Sequence, residues 1–248
     1  MFAVGVVALF PELVDPVIRH GVVGRAVDRG LLDVCFRSPR EFATDVHRTV
    51  DDRPYGGGPG MVMSYQPVFD AVNVVQAGMP AGCRRIVLSA QGRLLDQSLA
   101  AELAQSPGFV AIAGRYEGID ERVCLGLDAE EVSIGDYVLS GGELAVAVLI
   151  DAVVRLLPNA LGHADSTEQD SFSAGILDCP HYTRPERVDG MTVPQVLLTG
   201  DHAAIRRWRL KQALGRTWLR RPELLEGREL SQEEQALLAE FREESPDG

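Results

Sequence analysis

The chain has 248 residues, 46% of them hydrophobic and 24% charged, with a formal net charge of −12. That length and apolar fraction suit one large or two modest domains and exclude a largely disordered chain. A membrane span is excluded too, because the longest apolar runs, Phe2–Phe10 and Leu144–Ile150, are far shorter than the roughly 20 residues a bilayer requires.

Ala3–Phe10 reads as a buried strand rather than a leader: the first cation is Arg19, and Pro11-Glu12 follows at once. Pro11–Ile18 reads as a short helix with proline in its first turn. The patterning then predicts a strand over Leu31–Phe36, a helix over Gln66–Gln76, a strand over Arg85–Ser89 and a helix over Asp96–Gln105 capped by Asp96. Strands follow at Phe109–Ala113 and Val132–Ile134. Such alternation implies an α/β domain with a largely parallel sheet covered by helices on both faces. Glu143–Leu157 is a helix apolar on almost every side, so deep burial is expected. After Pro158 the residues turn small and polar, marking a linker. Two helical patterns lie beyond it: Ala203–Leu214 behind Asp201, and Gln232–Glu243 behind a Ser231-x-x-Glu234 capping box. The division is thus an α/β domain over 1–160, a linker over 161–171 and a small helical domain over 172–248.

The cysteines at 35, 83, 124 and 179 form no C-x-x-C pair, and their only near histidine is in Cys179-Pro180-His181. That spacing argues against a disulfide scaffold and a structural zinc site, and fits a reducing cytoplasm. Charge is unevenly distributed. Residues 1–160 carry 13 cations and 20 acids, while His202–Pro222 carries seven cations (Arg206, Arg207, Arg209, Lys211, Arg216, Arg220 and Arg221) and no acid. Nine acids follow from Glu223 onward. A local basic stripe can hold phosphates whatever the sign of the whole molecule, so net acidity does not exclude a nucleic-acid partner.

Common nucleotide and hydrolase signatures fail. The only lysine, Lys211, lies in a helical stretch, so there is no P-loop; no G-x-G-x-x-G follows the first strand, and G-x-S-x-G and H-E-x-x-H are missing. Three loops remain. Asp51-Asp52-Arg53-Pro54-Tyr55-Gly56-Gly57-Gly58-Pro59-Gly60 is either a mobile surface loop or a backbone that approaches a ligand closely. Gly114-Arg115-Tyr116-Glu117-Gly118-Ile119-Asp120 and Ile134-Gly135-Asp136-Tyr137-Val138-Leu139-Ser140-Gly141-Gly142 each follow a strand. Open parallel sheets gather ligands there, although glycines also serve tight turns. Arg155 stands four residues after Asp151, as either an ion-pair partner or a functional cation in an apolar helix. Asp170, at the end of the linker, reads alone as a solvated or capping aspartate, with a proton-accepting role as the second reading.

These loops carry a resemblance that runs nearly end to end. With Leu9-Phe10-Pro11-Glu12, the stretch His47–Tyr55 and its glycines, the loops at 114–121 and 133–143, Asp178-Cys179-Pro180-His181-Tyr182-Thr183-Arg184-Pro185, Arg206-Arg207-Trp208-Arg209 and Arg220-Arg221-Pro222-Glu223, the chain closely resembles the bacterial TrmD-type tRNA (guanine-N1)-methyltransferases of the SPOUT superfamily. It departs at Ala90, where members of that family usually carry proline.

The resemblance implies a SPOUT-type parallel sheet with a deep trefoil knot, and a homodimer with active sites at the subunit interface. It implies S-adenosylmethionine as methyl donor, held by Leu88, Ser89, Gly114, Tyr116, Glu117, Gly118, Ile134, Gly135, Asp136, Tyr137, Val138, Leu139, Gly141 and Gly142. The implied reaction is methylation of N1 of guanosine 37 in tRNA, after another G, with magnesium assisting. Asp170 would be the general base and Arg155 the group that stabilises charge at O6. Asp51 would face the neighbouring G36, while Arg206, Arg207, Arg209, Lys211, Arg220 and Arg221 would hold anticodon-stem phosphates. Two other readings stand beside it: a SPOUT enzyme acting on rRNA ribose or base, and an RNA-binding module without catalysis.

Overall fold

The computed structural model describes residues 1–161 and 170–244, which fall into two compact units, Met1–Ala164 and Asp165–Gly248. The linker expected over 161–171 lies mostly outside the described residues.

Unit one is built on five parallel strands: β1 (Phe2–Val7), β2 (Leu32–Arg37), β5 (Arg84–Leu94), β6 (Gly108–Ala113) and β7 (Glu130–Ser133), in the order β2-β1-β6-β5-β7. Side-chain alternation along a strand explains its two cores. Phe2, Val4 and Val6 of β1 and Phe109 and Ala111 of β6 face α2 (Gly21–Asp28), α4 (Gln97–Ala104) and α6 (Glu143–Val154). Val7, Val110 and Ile112 face the opposite way, against α3 (Tyr65–Ala77) and α5 (Glu121–Leu127).

Several expected boundaries move, each for a physical reason. The first strand ends at Val7 rather than Phe10, because the chain then leaves the sheet and the Phe10 amide turns to Glu143. The expected helix over Pro11–Ile18 is a 3-10 turn at Pro11–Leu13 followed by α1 (Asp15–Arg19), restarted by Pro16. Helix α6 stops at Val154 instead of Leu157: Pro158 disfavours helical backbone just ahead of it, and the Leu156 and Leu157 amides bond three residues back. Its burial is not all-round either, since Leu144 is 55% and Val148 47% exposed. Helices α2 and α5 were not expected. Each carries a glycine that reads as a breaker but lies at a close contact: Gly24 over the Arg19 backbone, Gly126 beside Tyr65 and Phe69.

In unit two, α7 (His202–Arg220) packs on α8 (Gln232–Glu244) around Ile176, Cys179, Ala213, Leu214, Leu237 and Leu238. The Asp201 carboxylate caps α7 through the Ala203 and Ala204 amides at 3.0 and 3.1 Å. Ser231 and Glu234 form the expected capping box on α8. Helix α7 runs six residues past the expected end at Leu214. Gly215 does not end it; a Cβ there would sit 2.3 Å from the Phe241 ring, so the glycine lets α8 approach. A short hairpin, β8 (Arg187–Val188) and β9 (Met191–Thr192), turns through Asp189 and Gly190, both at positive φ.

Candidate active site

The carboxyl ends of β5, β6 and β7 bring two of the three loops together. The Gly142 amide donates to Gly114 O at 2.7 Å, and Arg115 bridges Gly141 in antiparallel fashion. A Cβ on Gly142 would lie 2.9 Å from Ala113 Cα and Gly114 N, so only glycine permits this approach. A buried ion pair fastens the same junction. Arg115 Nε donates to Glu143 Oε2 at 2.9 Å, and Glu143 is 1% exposed. The other carboxylate oxygen accepts from the Phe10 amide at 3.3 Å, and the Arg115 guanidinium lies 4.8 Å from the Phe10 ring centre. Neither Arg115 nor Glu143 was singled out from the sequence, although an acid at the head of a mostly apolar helix was the available signal.

Strand β5 supplies a third wall. Val132 pairs with both Leu88 and Arg93, so residues 89–92 loop out between them. A Cβ on Gly92 would meet the Val132 amide nitrogen at 2.3 Å, which explains the glycine at the return. These segments enclose a cavity of about 290 Å³. Every residue named above for the donor site lines it except Asp136, which does not. Ala90, Arg115, Glu121, Cys124 and Glu131 line it as well.

The chemistry of this lining is acidic. Glu117, Glu121 and Glu131 face the cavity, and its one cation, Arg115, is committed to Glu143. Burial pushes the Cys124 thiol up, and the carboxylates of Glu131 and Glu121 push it further, so it stays a neutral thiol. Backbone amides and carbonyls from the glycine loops add hydrogen-bonding edges. Such a pocket suits a ligand carrying positive charge and is unfavourable for a phosphate.

The Gly-rich segment docks on the same region. Asp51–Asp52 (β3) and Val62–Met63 (β4) pair antiparallel, with Asp51 opposite Met63. Gly56, Gly57, Gly58 and Gly60 between them all hold positive φ. Met63 N donates to Gly118 O at 2.9 Å, and Asp120 N donates to Met63 O at 3.0 Å. A Cβ on Gly60 would lie 2.2 Å from a Glu117 carboxylate oxygen, so the hairpin seats on the cavity wall. At its tip Tyr55 is 100% exposed.

Arg155 and Asp170 fall in different units. Arg155 is the C-terminal cap of α6, its amide bonding to Asp151 O. Asp170 opens a tight turn in unit two, its carbonyl accepting from Ser173 N at 3.2 Å.

The basic stripe separates into two ridges. On α7, Arg206, Arg209 and Arg220 fall within a sector of roughly 60°, while Arg207 and Lys211 lie on the other flank of the buried face. Arg207 pairs with Glu240 and Lys211 with Glu244, at 2.8 Å for the lysine. Arg221 pairs with Glu223 and lies over the Phe172 ring. Among the described residues, Arg206, Arg209 and Arg220 are exposed and form no ion pair. Trp218 packs against the domain core, with Arg242 over its ring, and Trp208 meets Tyr182. The Asp178-Cys179-His181 stretch gathers its own polar groups: Asp178 Oδ2 lies 2.7 Å from His181 Nε2, and the Cys179 amide donates to Oδ1 at 2.6 Å.

The chain is 61% identical over 244 residues to the tRNA (guanine-N(1)-)-methyltransferase of Chromohalobacter salexigens, covering 96% of this chain and 91% of that one. It is 59% identical over 241 residues to the protein of the same name from Serratia proteamaculans, and 58% identical to that from Salmonella typhi; each match covers 97% of this chain and 94% of the relative. Residues 2–227 match the family described as tRNA (Guanine-1)-methyltransferase TrmD, and the chain belongs to that family.

Proposed function

We propose that the protein transfers a methyl group from S-adenosylmethionine to N1 of guanosine 37 of tRNA, next to a preceding G, giving 1-methylguanosine. Membership of the family supports the tRNA (guanine-N1)-methyltransferase activity. The observation that carries the donor is the acid-lined glycine cavity at the ends of β5, β6 and β7. When bound there, S-adenosylmethionine supplies an electrophilic methyl on a cationic sulfonium, which Glu117, Glu121 and Glu131 favour electrostatically.

Neutral guanine carries a hydrogen on N1 and is a weak nucleophile there, so that proton has to leave as the methyl is accepted. Asp170 is the base in this reading and takes the N1 proton. Charge then grows toward O6, where the Arg155 guanidinium stabilises it. The hairpin bearing Asp51 and Tyr55 meets the nucleotides around G36; a fully exposed tyrosine at a glycine tip offers a face on which a base unstacked from its neighbours can rest. Arg206, Arg209 and Arg220 hold backbone phosphates.

The same reading includes a trefoil-knotted path, a homodimer and a cytoplasmic location. The five-stranded parallel sheet, with the chain passing from β6 across β5 to reach β7, is the frame on which that path would be drawn. The exposed Leu144 and Val148 on α6 support the second. No described helix is long and apolar enough to cross a membrane. Among the described residues, the one close group of three potential ligands, Asp178, Cys179 and His181, offers a thiol and an imidazole with a single carboxylate, a set that does not suit magnesium, which takes oxygen ligands.

The test is transfer of labelled methyl from S-adenosylmethionine to tRNA by the native protein and by Asp170→Ala. Native transfer at N1 with near-silence of the variant, at unchanged donor affinity, supports the reading. Normal turnover of the variant overturns Asp170 as base. A rRNA ribose methyltransferase would need no carboxylate there, and a binding module would take up no donor.

A further inference from the structure

The turn that begins at Asp170 is unusually well fastened. Ser173 N donates to Asp170 O at 3.2 Å, Gly175 N to Phe172 O at 3.0 Å, and Phe172 N to Ile176 O at 2.7 Å. Phe172 and Gly175, both at φ +73°, reverse the chain within a few residues. The exit is anchored twice. Asp178 N donates to Ser171 Oγ at 3.0 Å, and Leu177 N donates to Thr217 Oγ1 at 2.9 Å. Thr217 sits within α7, 0% exposed, and its hydroxyl donates a hydrogen bond to Ala213 O at 2.7 Å. Arg221, at the end of the same helix, covers the Phe172 ring at 5.6 Å.

A threonine inside a helix ordinarily bonds back to the carbonyl four residues earlier and does nothing more. Here the same oxygen also accepts from a backbone amide outside the helix. We propose that Thr217 is a positioning residue for methyl transfer. Its hydroxyl locks the Asp170 turn to α7, so that the helix holding RNA phosphates and the carboxylate receiving the N1 proton move as one body. This inference rests on Asp170 being the base. Threonine is required for its oxygen rather than its shape, since valine fills the same volume but offers the Leu177 amide no acceptor.

The experiment compares native protein with Thr217→Val and Thr217→Ser, measuring kcat and KM for tRNA, donor affinity by calorimetry, and turnover against pH, with Asp170→Asn alongside. Thr217→Val is expected to lower kcat by about tenfold or more, as a displaced catalytic group does, with KM and donor affinity within about twofold of native. Thr217→Ser is expected to retain kcat within about threefold. Ser171→Ala, which removes the other exit bond, lowers kcat in the same direction and serves if Thr217→Val does not fold. Native kcat in a folded Thr217→Val or Ser171→Ala, beside an inactive Asp170→Asn, overturns the positioning role alone. A rise in KM equal to the loss in kcat/KM overturns it too, because the helix alone would then be damaged. Full activity of Asp170→Asn overturns the reading of the base beneath it.

Discussion

Glu143→Ala is the most informative single change in unit one. Its carboxylate is buried and serves two donors, Arg115 Nε and the Phe10 amide. Truncation strands a largely buried guanidinium and an amide in a site water reaches poorly, a loss of about 3–5 kcal/mol. For a unit of this size that corresponds to a fall in Tm of about 6–20 °C. Glu143→Gln keeps one acceptor oxygen, turns its amide NH2 toward the other donor and removes the charge, for about 1.5–3 kcal/mol. Replacing both partners, Arg115→Met with Glu143→Leu, is expected to recover part of the Glu143→Ala loss, since an apolar pair needs no desolvation, leaving about 1–3 kcal/mol for the Phe10 amide that still has no acceptor. Donor binding should not return with it, because the clasp between the 114–121 and 133–143 loops stays open. Urea unfolding gives the stabilities and calorimetry with S-adenosylmethionine the affinities. Glu143→Ala within about 1 kcal/mol of native, or full donor binding by the double variant, would refute the reasoning.

The two ridges of α7 separate in salt titrations. Converting Arg206, Arg209 and Arg220 together to alanine should reduce the slope of log KM for tRNA against log salt by about 2–3, the share of three phosphate contacts. Arg207→Ala and Lys211→Ala should each cost about 0.2–1 kcal/mol of stability and leave that slope nearly unchanged; an equal effect on the slope would make the ridges equivalent. Gly142→Ala forces a Cβ against the Ala113 and Gly114 backbone, so stability should fall by about 1–3 kcal/mol, with donor affinity lost in parallel by calorimetry. Unit two should show an acid limb from Asp178. Burial raises its carboxyl, but the hydrogen bonds from His181 and the Cys179 amide outweigh that and hold it below the usual range. A depressed carboxylate stabilises above its unfolded value, near pH 4, and that contribution fades as pH falls through the lower folded value. Asp178→Asn should therefore be less stable than native at neutral pH and converge with it in acid; parallel curves would contradict this.

Much of this was legible because the physics was local. The unbroken apolar run at the start of the chain reads as a buried strand, and all six residues of Phe2–Val7 are buried, while Asp96, Asp201 and Ser231 announce their helices through caps. What escaped was settled by tertiary contact. Gly215 looks like a terminator until Phe241 lies against it. Leu144 and Val148 look like core until α6 is seen to leave one stripe of its surface uncovered. The seven cations of His202–Pro222 form one stripe in sequence, but α8 pairs with two of them, Arg207 and Lys211, while Arg206, Arg209 and Arg220 stay open. Charge composition alone gave no hint of the Arg115–Glu143 clasp, because an ion pair 28 residues apart exists only once β6 and α6 are side by side.

The central claim is tested most directly by incubating tRNA with the protein and isotopically labelled S-adenosylmethionine, then mapping the modified nucleotide by nuclease digestion and mass spectrometry. The account predicts one labelled methyl, on N1 of guanosine 37, in tRNAs with G at position 36. Label on a ribose hydroxyl, on another nucleotide, or none at all would contradict it.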